Sequence, residues 1–514
     1  MIQDCKVVSV LSNANVYGKA EYAINLAVAL AKVTEAKVML VDMAMPCEEI
    51  AKMLKLDRSV QDNTIVNTKF GIDTMTLERF DKQCLVEIRS RYQYIVINLP
   101  VEVDNSLYEA MDYSDVIHFF MASIKDNLED GHGFLEDLIE KVPKYVLEKL
   151  KFVVYRLNVF DKLSLEEISW LIKRDVWAVV PEPGVLDALI DSAGIPIVFK
   201  TLNPAYSKAI IYIAKSESDK LLGLALGSGA AFGLAHIGVL KVLEQQHIQV
   251  DIISGSSIGS LIASLWGLGF SSDKIEYIAI RLKNKLNIMR LLDFTVPISG
   301  ILAGKRLKRF LRNILGEKTF EDLQIPVKIM VYDLANRETL AIQRGSLVEA
   351  VFKSISVPGI FEPTVEKDRV IVDGGISDPV PVDILLKHGA RKTIAVNVLP
   401  GPQDIYKRNM FLKKKSKEEE DMIREAPFYV RLAVRIKVFF RKKFTPNIFD
   451  VIMTSMQSME YVLAENSCKK ADISLHPVLP DAASVDFHLV REFIAKGEEE
   501  TNSHIEKINA LAFN

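Results

Sequence analysis

One serine in a glycine-flanked turn is well suited to nucleophilic chemistry. Ser257 is the centre of the segment Gly255-Ser256-Ser257-Ile258-Gly259, between an apolar run typical of a strand and an apolar run typical of a helix. A nucleophile at a tight strand-to-helix turn needs small neighbours so that its oxygen projects from the sheet. The pattern predicts Ser257 as a nucleophile for acyl transfer, with a simple helix N-cap as the structural alternative.

A nucleophilic serine needs a base, and Asp373 is the better candidate. Asp373 ends the strand-like run RVIVD and precedes Gly374 and Gly375, which places it to reach a site at the edge of a sheet. An ordinary aspartate has a pKa of about 4, so this role requires burial that raises the pKa. A common Asp-Gly turn is the structural alternative. Spacing also leaves open a histidine base, for which the downstream candidates are His388, His476 and His488.

A glycine-rich turn, GSGAAFG at 227–233, lies between the apolar run LLGLAL and the helical pattern LAHIGVLKVLEQQ. Small residues allow backbone amides to approach a ligand, and the start of a helix adds partial positive charge. This suits an anion such as the oxyanion of acyl transfer, although a turn that serves only packing has the same pattern. His236 on the following helix is expected to be structural.

Composition describes a large globular chain. Its 514 residues predict two to four domains at about 150 residues each, and 49% apolar and 25% charged residues are ordinary for a folded core. The net charge of −3 gives no reason to expect nucleic acid as a partner. Four scattered cysteines and a start without signal-peptide features indicate a cytoplasmic protein. The uncharged stretches 221–240 and 252–272 are long enough to span a membrane, but each is better interpreted as strand, glycine turn and helix.

The N-terminal half alternates strand-like and helical segments, which predicts a doubly wound, mostly parallel sheet. The predicted strands are 6–11, 37–43, 92–99, 116–122, 151–157 and 176–180. Residues 5 to about 215 resemble the MinD/ParA family of ATPases, including its CpaE-like branch, in SNANVYGKAEYAINLAVALAK, KVMLVDMAMP, YQYIVINLP and WAVVPEPGVLDALIDSAGIPIV.

The resemblance fails at the phosphate loop. Gly18 and Lys19 match the family pattern. Five positions depart from it. Ala14 stands where the family has its signature lysine, Asn15 and Val16 replace two glycines, Ala20 replaces the magnesium-binding threonine, and Asn98 replaces the metal-side aspartate. A phosphate cradle needs converging backbone amides and a hydroxyl for Mg²⁺. We therefore predict a pseudo-ATPase lobe with no cofactor, used for docking, homodimerisation or localisation.

The remnants of this degenerate site are Gly18, Lys19 and Asp42. Lys19 alone is able to pair with a phosphate, but a lone lysine at a helix start is more often a surface residue, and Glu21 brings negative charge toward the phosphate pocket. Asp42 either serves a residual nucleotide or caps the loop after its strand, and the cap is the favoured interpretation.

From about Leu222 onward the chain resembles the patatin-like phospholipase family, in particular its bacterial branch related to neuropathy target esterase. The resemblance is carried by LALGSGAAFGLAHIGVLKVLE, IISGSSIGSLIASLWGLG, GILAGKRLKRFL, KSISVPGIFEPT, VIVDGGISDPVPVDIL and PNIFDVIMTSMQSMEYVL. It implies a second three-layer α/β/α domain, a Ser257–Asp373 dyad without histidine or metal, and oxyanion donors at Gly229 and Ala230. The family's motif glycines fall on Gly227, Gly233, Gly255, Gly259, Gly374 and Gly375. Phe232 replaces the family's usual arginine, which puts substrate preference and activity in doubt.

The resulting organisation is a domain at 1–214, a linker at 215–220 and a domain at 221–514 with a basic insertion at 403–446. Residues 407–443 hold thirteen basic and five acidic side chains, and at helical spacing the aromatic and aliphatic residues of 429–444 share one face. This favours peripheral contact of 407–444 with an anionic inner membrane face; a solvated helix packed on its own domain is the alternative.

The leading hypothesis is a lipid acyl hydrolase, a phospholipase or lysophospholipase. A membrane-associated scaffold with two decayed sites and a histidine-dependent α/β-hydrolase esterase remain the alternatives.

Overall fold

The structure is a computed structural model. It describes residues 5–13, 16, 18–44, 49–56, 63–157, 163–183, 196–199, 204–281, 293, 295, 300–408, 410 and 448–513. The chain divides into two compact units, Met1–Asp219 and Lys220–Asn514, and each is built around its own sheet.

The first unit contains eight described strands. They are β1 (Lys6–Leu11), β2 (Val38–Asp42), β3 (Val66–Asn67), β4 (Ile72–Thr76), β5 (Tyr94–Asn98), β6 (Val116–Ala122), β7 (Leu150–Arg156) and β8 (Ala178–Pro181). Their order in the sheet is β3-β4-β2-β5-β1-β6-β7-β8, and every pairing is parallel except β3 with β4. All six predicted strands are present. The short β3 and β4, which have little apolar character, were not predicted.

Helices cover both faces of this sheet. They are α1 (Lys19–Thr34), α2 (Glu49–Met53), α3 (Lys82–Arg89), α4 (Asn105–Tyr113), α5 (Lys125–Lys141), α6 (Lys144–Leu147), α7 (Leu165–Ile172) and α8 (Pro204–Glu217). One apolar core includes α1 and α8, and a separate core on the other face includes α3, α4, α5 and α7. The unit is therefore the expected three-layer α/β/α fold.

Residues 215–217 of the predicted linker are the last turn of a helix. Helix α8 continues through Glu217, whose side chain is fully buried. The Glu217 carboxylate forms ion pairs with Lys6 at 3.0 Å and Lys151 at 2.6 Å, and it hydrogen-bonds His118. These contacts hold its pKa well below the ordinary range despite burial. The polar composition of 215–220 predicted a linker, but the charge of Glu217 anchors the end of α8 within the first unit.

The second unit has ten described strands. They are β9 (Leu221–Leu226), β10 (Ile252–Ser256), β11 (Gly300–Leu302), β12 (Val327–Asp333), β13 (Glu338–Ile342), β14 (Gly359–Phe361), β15 (Thr364–Glu366), β16 (Arg369–Asp373), β17 (Ala390–Val396) and β18 (Ile473–Leu475). The main sheet has the order β15-β16-β12-β10-β9-β17-β18, β13 pairs with β12, and β11 with β14 forms a small separate sheet.

Nine α-helices are described in this unit: α9 (Ala235–Gln245), α10 (Ile258–Gly267), α11 (Ser272–Ile280), α12 (Lys305–Leu315), α13 (Leu347–Ser354), α14 (Val382–Lys387), α15 (Ile448–Cys468), α16 (Val490–Ser503) and α17 (Ile505–Phe513). The main core joins β9, β10 and β12 to α9, α10, α13 and α16. Helix α14 packs across β9, β10 and β17. Both uncharged stretches are strand, turn and helix as predicted, and no described helix is long and apolar enough to cross a membrane.

Candidate functional site

Ser257 lies in the sharp turn between β10 and α10. Its backbone has φ 53° and ψ −124°, a conformation that costs a non-glycine residue about 1–3 kcal/mol. The turn is tight because its flanking glycines lie against backbone: a Cβ on Gly259 would be 2.2 Å from the Leu226 carbonyl oxygen, and one on Gly255 would be 2.7 Å from Gly259. Ser257 occupies the N-cap position of α10, but its side chain caps no helix amide. Its hydroxyl is therefore available for another partner.

Strand register brings Asp373 to the level of this turn. Strand β12 pairs in parallel with β10, with Ser256 opposite Met330, and in antiparallel with β16, with Asp373 opposite Val331. The sequence suggested that Asp373 reaches the site as a strand end at the carboxyl edge. In the structure β16 runs antiparallel to β12. Asp373 is brought to the level of the Ser257 turn because its partner Val331 follows Met330, the partner of Ser256, on β12.

Ser257 and Asp373 form a direct hydrogen bond. The Ser257 hydroxyl donates to Asp373 Oδ2 at 2.6 Å, and the two residues are only 5% and 4% exposed. The Gly375 amide donates to Oδ1 at 2.7 Å, so Asp373 also caps its Asp-Gly turn. Burial raises the pKa of Asp373 to about 7, against the lowering effect of both hydrogen bonds. This carboxyl is close to half ionised at neutral pH, as a general base requires.

Ser354 supports the turn in a way that the sequence did not reveal. Its hydroxyl accepts from the Ser257 amide at 3.0 Å and donates to the Met330 carbonyl oxygen at 2.7 Å. One side chain at the end of α13 thus ties the strained turn to β12, the strand that also fixes Asp373. The Ser257 amide is thereby engaged.

The glycine turn presents two adjacent unengaged amides. Four of its amides have backbone acceptors, namely those of Gly227, Ser228, Ala231 and Phe232. Within the described residues, the amides of Gly229 and Ala230 donate to no protein acceptor. Their φ angles of 155° and 49° turn the backbone here. Two adjacent free amides are the arrangement that an oxyanion requires.

The turn packs closely on the nucleophile turn and on Asp373. A Cβ on Gly233 would be 2.1 Å from the Ile258 side chain, and a Cβ on Gly374 would be 2.3 Å from the Met330 carbonyl oxygen. A Cβ on Gly375 would be 3.0 Å from Ser228. The absence of side chains at Gly233, Gly374 and Gly375 therefore allows the glycine turn, the Ser257 turn, β12 and the Asp373 segment to pack in contact. A side chain at these positions would separate them.

Phe232, at the position of the family's arginine, does not face this site. Its ring is buried and packs edge-on against Phe493 at 5.9 Å between centroids. The substitution exchanges a charge for core packing between the turn and α16. The amides of Gly229 and Ala230 remain unengaged beside it.

A second carboxyl lies near the dyad and was also missed by sequence reasoning. Glu460 is on α15, which packs against the turn at Gly374–Ile376. Desolvation, with the charge of Asp373, raises the pKa of Glu460 to about 8. The carboxyl of Glu460 is therefore harder to ionise than that of an exposed glutamate. Met453, Met456 and Leu463 on the same helix face are half-buried, so helical spacing predicts a packed face but not a carboxyl next to Asp373.

The histidines have other partners. His236 is buried, and its Nε2 lies 2.8 Å from the Gly227 carbonyl oxygen, as expected for a structural residue. His476 lies near Glu465 and His488 near Asp486. Burial lowers the pKa of His388 to about 4. Among the described contacts of Ser257, the hydroxyl acceptor is Asp373 and not a histidine.

Polar residues at the degenerate phosphate site of the first unit form hydrogen bonds with other groups of the protein. Lys19 is buried, not at the surface as predicted, and its Nζ donates to the Leu99 carbonyl oxygen at 2.7 Å. Burial lowers its pKa to about 8. Asp42 accepts from the Ala44 amide at 3.2 Å and from Asn98 Nδ2 at 2.9 Å, so it caps the loop as predicted.

Two side chains lie close to the described part of this loop. A Cβ on Gly18 would be 3.0 Å from the ring of Tyr155. Glu21 is buried near Tyr206, whose pKa is raised by burial first and by the negative charge of Glu21 second. Ala14 and Asn15 lie outside the described residues.

The proposed amphipathic segment lies mostly outside the described residues, since 411–447 are not described. The chain on either side of it carries exposed apolar side chains: Ile405, Tyr406, Met410, Val451, Ile452, Met459 and Val462. The two sides meet where a Cβ on Gly401 would be 2.7 Å from the Tyr461 hydroxyl.

Comparison with known proteins identifies the second unit. The family profile of the patatin-like phospholipases matches residues 224–386. An uncharacterized NTE family protein of Mycobacterium tuberculosis is 35% identical over 184 residues, which cover 36% of this chain and 51% of that protein. Lysophospholipase NTE1 of Debaryomyces hansenii is 27% identical over 296 residues, which cover 56% of this chain and 18% of that protein. The chain thus spans about half the length of the mycobacterial relative and a smaller share of the Debaryomyces hansenii lysophospholipase.

The first unit is similar to solved MinD/ParA structures. MinD of Aquifex aeolicus is 21% identical with a TM-score of 0.35, over 41% of this chain and 95% of that protein. The sheet order described above, not this score, defines the fold of the unit. Residues 224–386 thus match the patatin-like phospholipase family model and are similar to neuropathy target esterase relatives, and the first unit is similar to MinD/ParA structures.

Proposed function

We propose that the second unit is a serine acyl hydrolase that cleaves carboxylic esters of phospholipids or lysophospholipids through Ser257 and Asp373. The observation that carries the proposal is the buried 2.6 Å hydrogen bond between them. The match to the phospholipase profile supports the reaction class, and the names of the neuropathy target esterase and lysophospholipase relatives support lipid esters as substrates.

The proposed reaction begins with proton transfer from Ser257 to Asp373 as the serine oxygen attacks the ester carbonyl carbon. The amides of Gly229 and Ala230 stabilise the negative charge that develops on the carbonyl oxygen. Asp373 then returns the proton to the leaving alcohol, and an acyl-enzyme remains on Ser257. Water releases the fatty acid in a second cycle with Asp373 as base. The raised pKa of Asp373 allows the same carboxyl to accept and return a proton near neutral pH.

Serine and aspartate substitutions test this role. We expect Ser257→Ala to lower kcat for a lysophospholipid at least about 1,000-fold, since the nucleophile is lost, and Asp373→Asn to lower it about 100- to 10,000-fold, since the base is lost. Fatty-acid release measures both.

Ser264→Ala is the matched control, because Ser264 is equally buried in α10 but donates to the Ser260 carbonyl oxygen. It should retain activity. Full activity in Ser257→Ala would refute the proposal, and loss of activity in a His476 or His488 variant with an active Asp373→Asn would favour the histidine-dependent esterase. An inactive wild-type protein would favour the scaffold.

The buried charge of Asp373 also has a consequence for stability. Because its pKa is raised from 3.8 to about 7, folding disfavours the ionised form, and the wild-type protein loses stability as pH rises through this interval. Asp373→Asn removes the charge, so its Tm should exceed that of the wild type, by more at pH 8 than at pH 5. Calorimetric melting at both pH values measures this.

Asp481→Asn is the control for this measurement, since Asp481 is an exposed carboxyl in the same unit. Its Tm difference from the wild type should not grow with pH in this way. A Tm of Asp373→Asn equal to or below that of the wild type at pH 8 would contradict the buried charge.

We also propose that 407–444 contacts anionic membranes. The net charge of +8 over 407–443 and the exposed apolar residues on both sides support the contact. Helix α15 connects this region to the dyad through Glu460, which favours delivery of lipid from the membrane to Ser257.

Vesicle sedimentation tests the contact. Binding to vesicles with phosphatidylglycerol should exceed binding to pure phosphatidylcholine and should fall at high salt, because the attraction is electrostatic. Changing Lys413, Lys414, Lys415, Arg441, Lys442 and Lys443 to Gln should abolish the preference. The control, Lys82, Lys141 and Lys144 to Gln in the first unit, should not. Equal binding by both variants would exclude the segment as the contact.

We further propose that the first unit is a pseudo-ATPase lobe for docking, homodimerisation or localisation. Lys19 is engaged with a carbonyl oxygen and Ala20 offers no hydroxyl to Mg²⁺, which supports loss of nucleotide chemistry. Titration calorimetry of the full chain with MgATP should show no binding tighter than about 1 mM. Mg-dependent micromolar binding that Lys19→Ala abolishes would contradict this.

A further inference from the structure

Ser228 carries a buried hydroxyl beside the dyad, and this hydroxyl has no role in the reaction proposed above. The residue is 3% exposed, and its Oγ has no hydrogen-bond partner within the described part of the chain. A buried hydroxyl without a partner costs about 1–3 kcal/mol. Its backbone is fixed, since the Ser228 amide donates to the Pro379 carbonyl oxygen at 2.8 Å.

The Ser228 hydroxyl and the Asp373 carboxyl lie beside the same glycine. A Cβ on Gly375 would be 3.0 Å from Ser228 Oγ and 3.2 Å from Asp373 Oδ1, so the two oxygens are near neighbours. They do not hydrogen-bond each other, and one water with hydrogen bonds of about 2.8 Å on each side is able to bridge oxygens that flank one residue in this way.

We propose that Ser228 positions the hydrolytic water that releases the acyl group from Ser257, an inference that rests on the proposed acyl-enzyme. The water donates one hydrogen to the Asp373 carboxylate and the other to Ser228 Oγ. Its lone pair is then directed at the acyl carbon. The glycine turn thus contributes amides to the oxyanion and a hydroxyl to the water.

The step balances. One O–H bond of the water breaks and its proton passes to Asp373, while the water oxygen bonds to the acyl carbon. The tetrahedral intermediate collapses with cleavage of the bond between that carbon and Ser257 Oγ. Ser257 takes the proton back from Asp373, and the free carboxylic acid leaves.

Loss of the hydroxyl should slow deacylation without slowing acylation. The experiment uses the full chain with p-nitrophenyl butyrate, stopped-flow detection of p-nitrophenol, and intact mass of quenched samples to follow acyl-Ser257. In Ser228→Ala and Ser228→Gly, the lifetime of the acyl-enzyme should increase about tenfold, as expected for one lost positioning hydrogen bond. Because kcat/KM reports acylation, it should stay within about twofold of the wild type. Where deacylation limits turnover, kcat and KM fall together.

Controls separate this inference from folding and from the proposed function. Ser264→Ala, which lacks another buried hydroxyl, should keep the wild-type acyl-enzyme lifetime, and hydroxylamine should release the acyl group at similar rates from wild type and Ser228 variants, since it is a stronger nucleophile than water. An unchanged lifetime in both Ser228 variants overturns the inference, as does a fall in kcat/KM that matches the lengthening of the lifetime, which would make Ser228 an oxyanion donor because the oxyanion forms in both steps. Absence of any acyl group on wild-type Ser257 instead overturns the proposed function.

Discussion

The hydrogen bond between Ser257 and Asp373 is the interaction on which the second unit depends. It joins two residues more than a hundred positions apart, and both side chains are nearly inaccessible to solvent. The fold holds a carboxyl in a place that disfavours its charge and a serine in a backbone conformation that costs energy. Such local costs are typical of sites whose geometry serves a reaction.

The surrounding structure compensates for these costs through one central strand. Strand β12 lies between β10 and β16, so its register sets the position of the serine turn and of Asp373 together. Ser354 then connects the Ser257 amide to Met330 of the same strand. The first unit presents the contrasting case, since Lys19 donates to the Leu99 carbonyl oxygen and Asp42 accepts from Asn98.

Local sequence was informative where short segments determine structure. The glycine spacing around Ser257 predicted the turn, and apolar runs predicted the principal strands, because both depend on neighbouring residues. The antiparallel direction of β16, the role of Ser354 and the approach of Glu460 depend on contacts between distant segments. Burial of Lys19 was missed because a single charged residue at a helix start is usually exposed. The packing of Phe232 against Phe493 likewise joins distant segments, and the loss of the arginine's charge at this position stays a prediction.

Covalent labelling with a fluorophosphonate tests the central claim most directly, because it reports nucleophilicity at a defined atom without knowledge of the natural substrate. Peptide mass spectrometry of the labelled full chain should locate one phosphonyl group on Ser257. Labelling should be much slower in Asp373→Asn and unchanged in His388→Gln. A label on another serine, or equal labelling of Ser257 in the wild type and Asp373→Asn, would contradict the Ser257–Asp373 dyad.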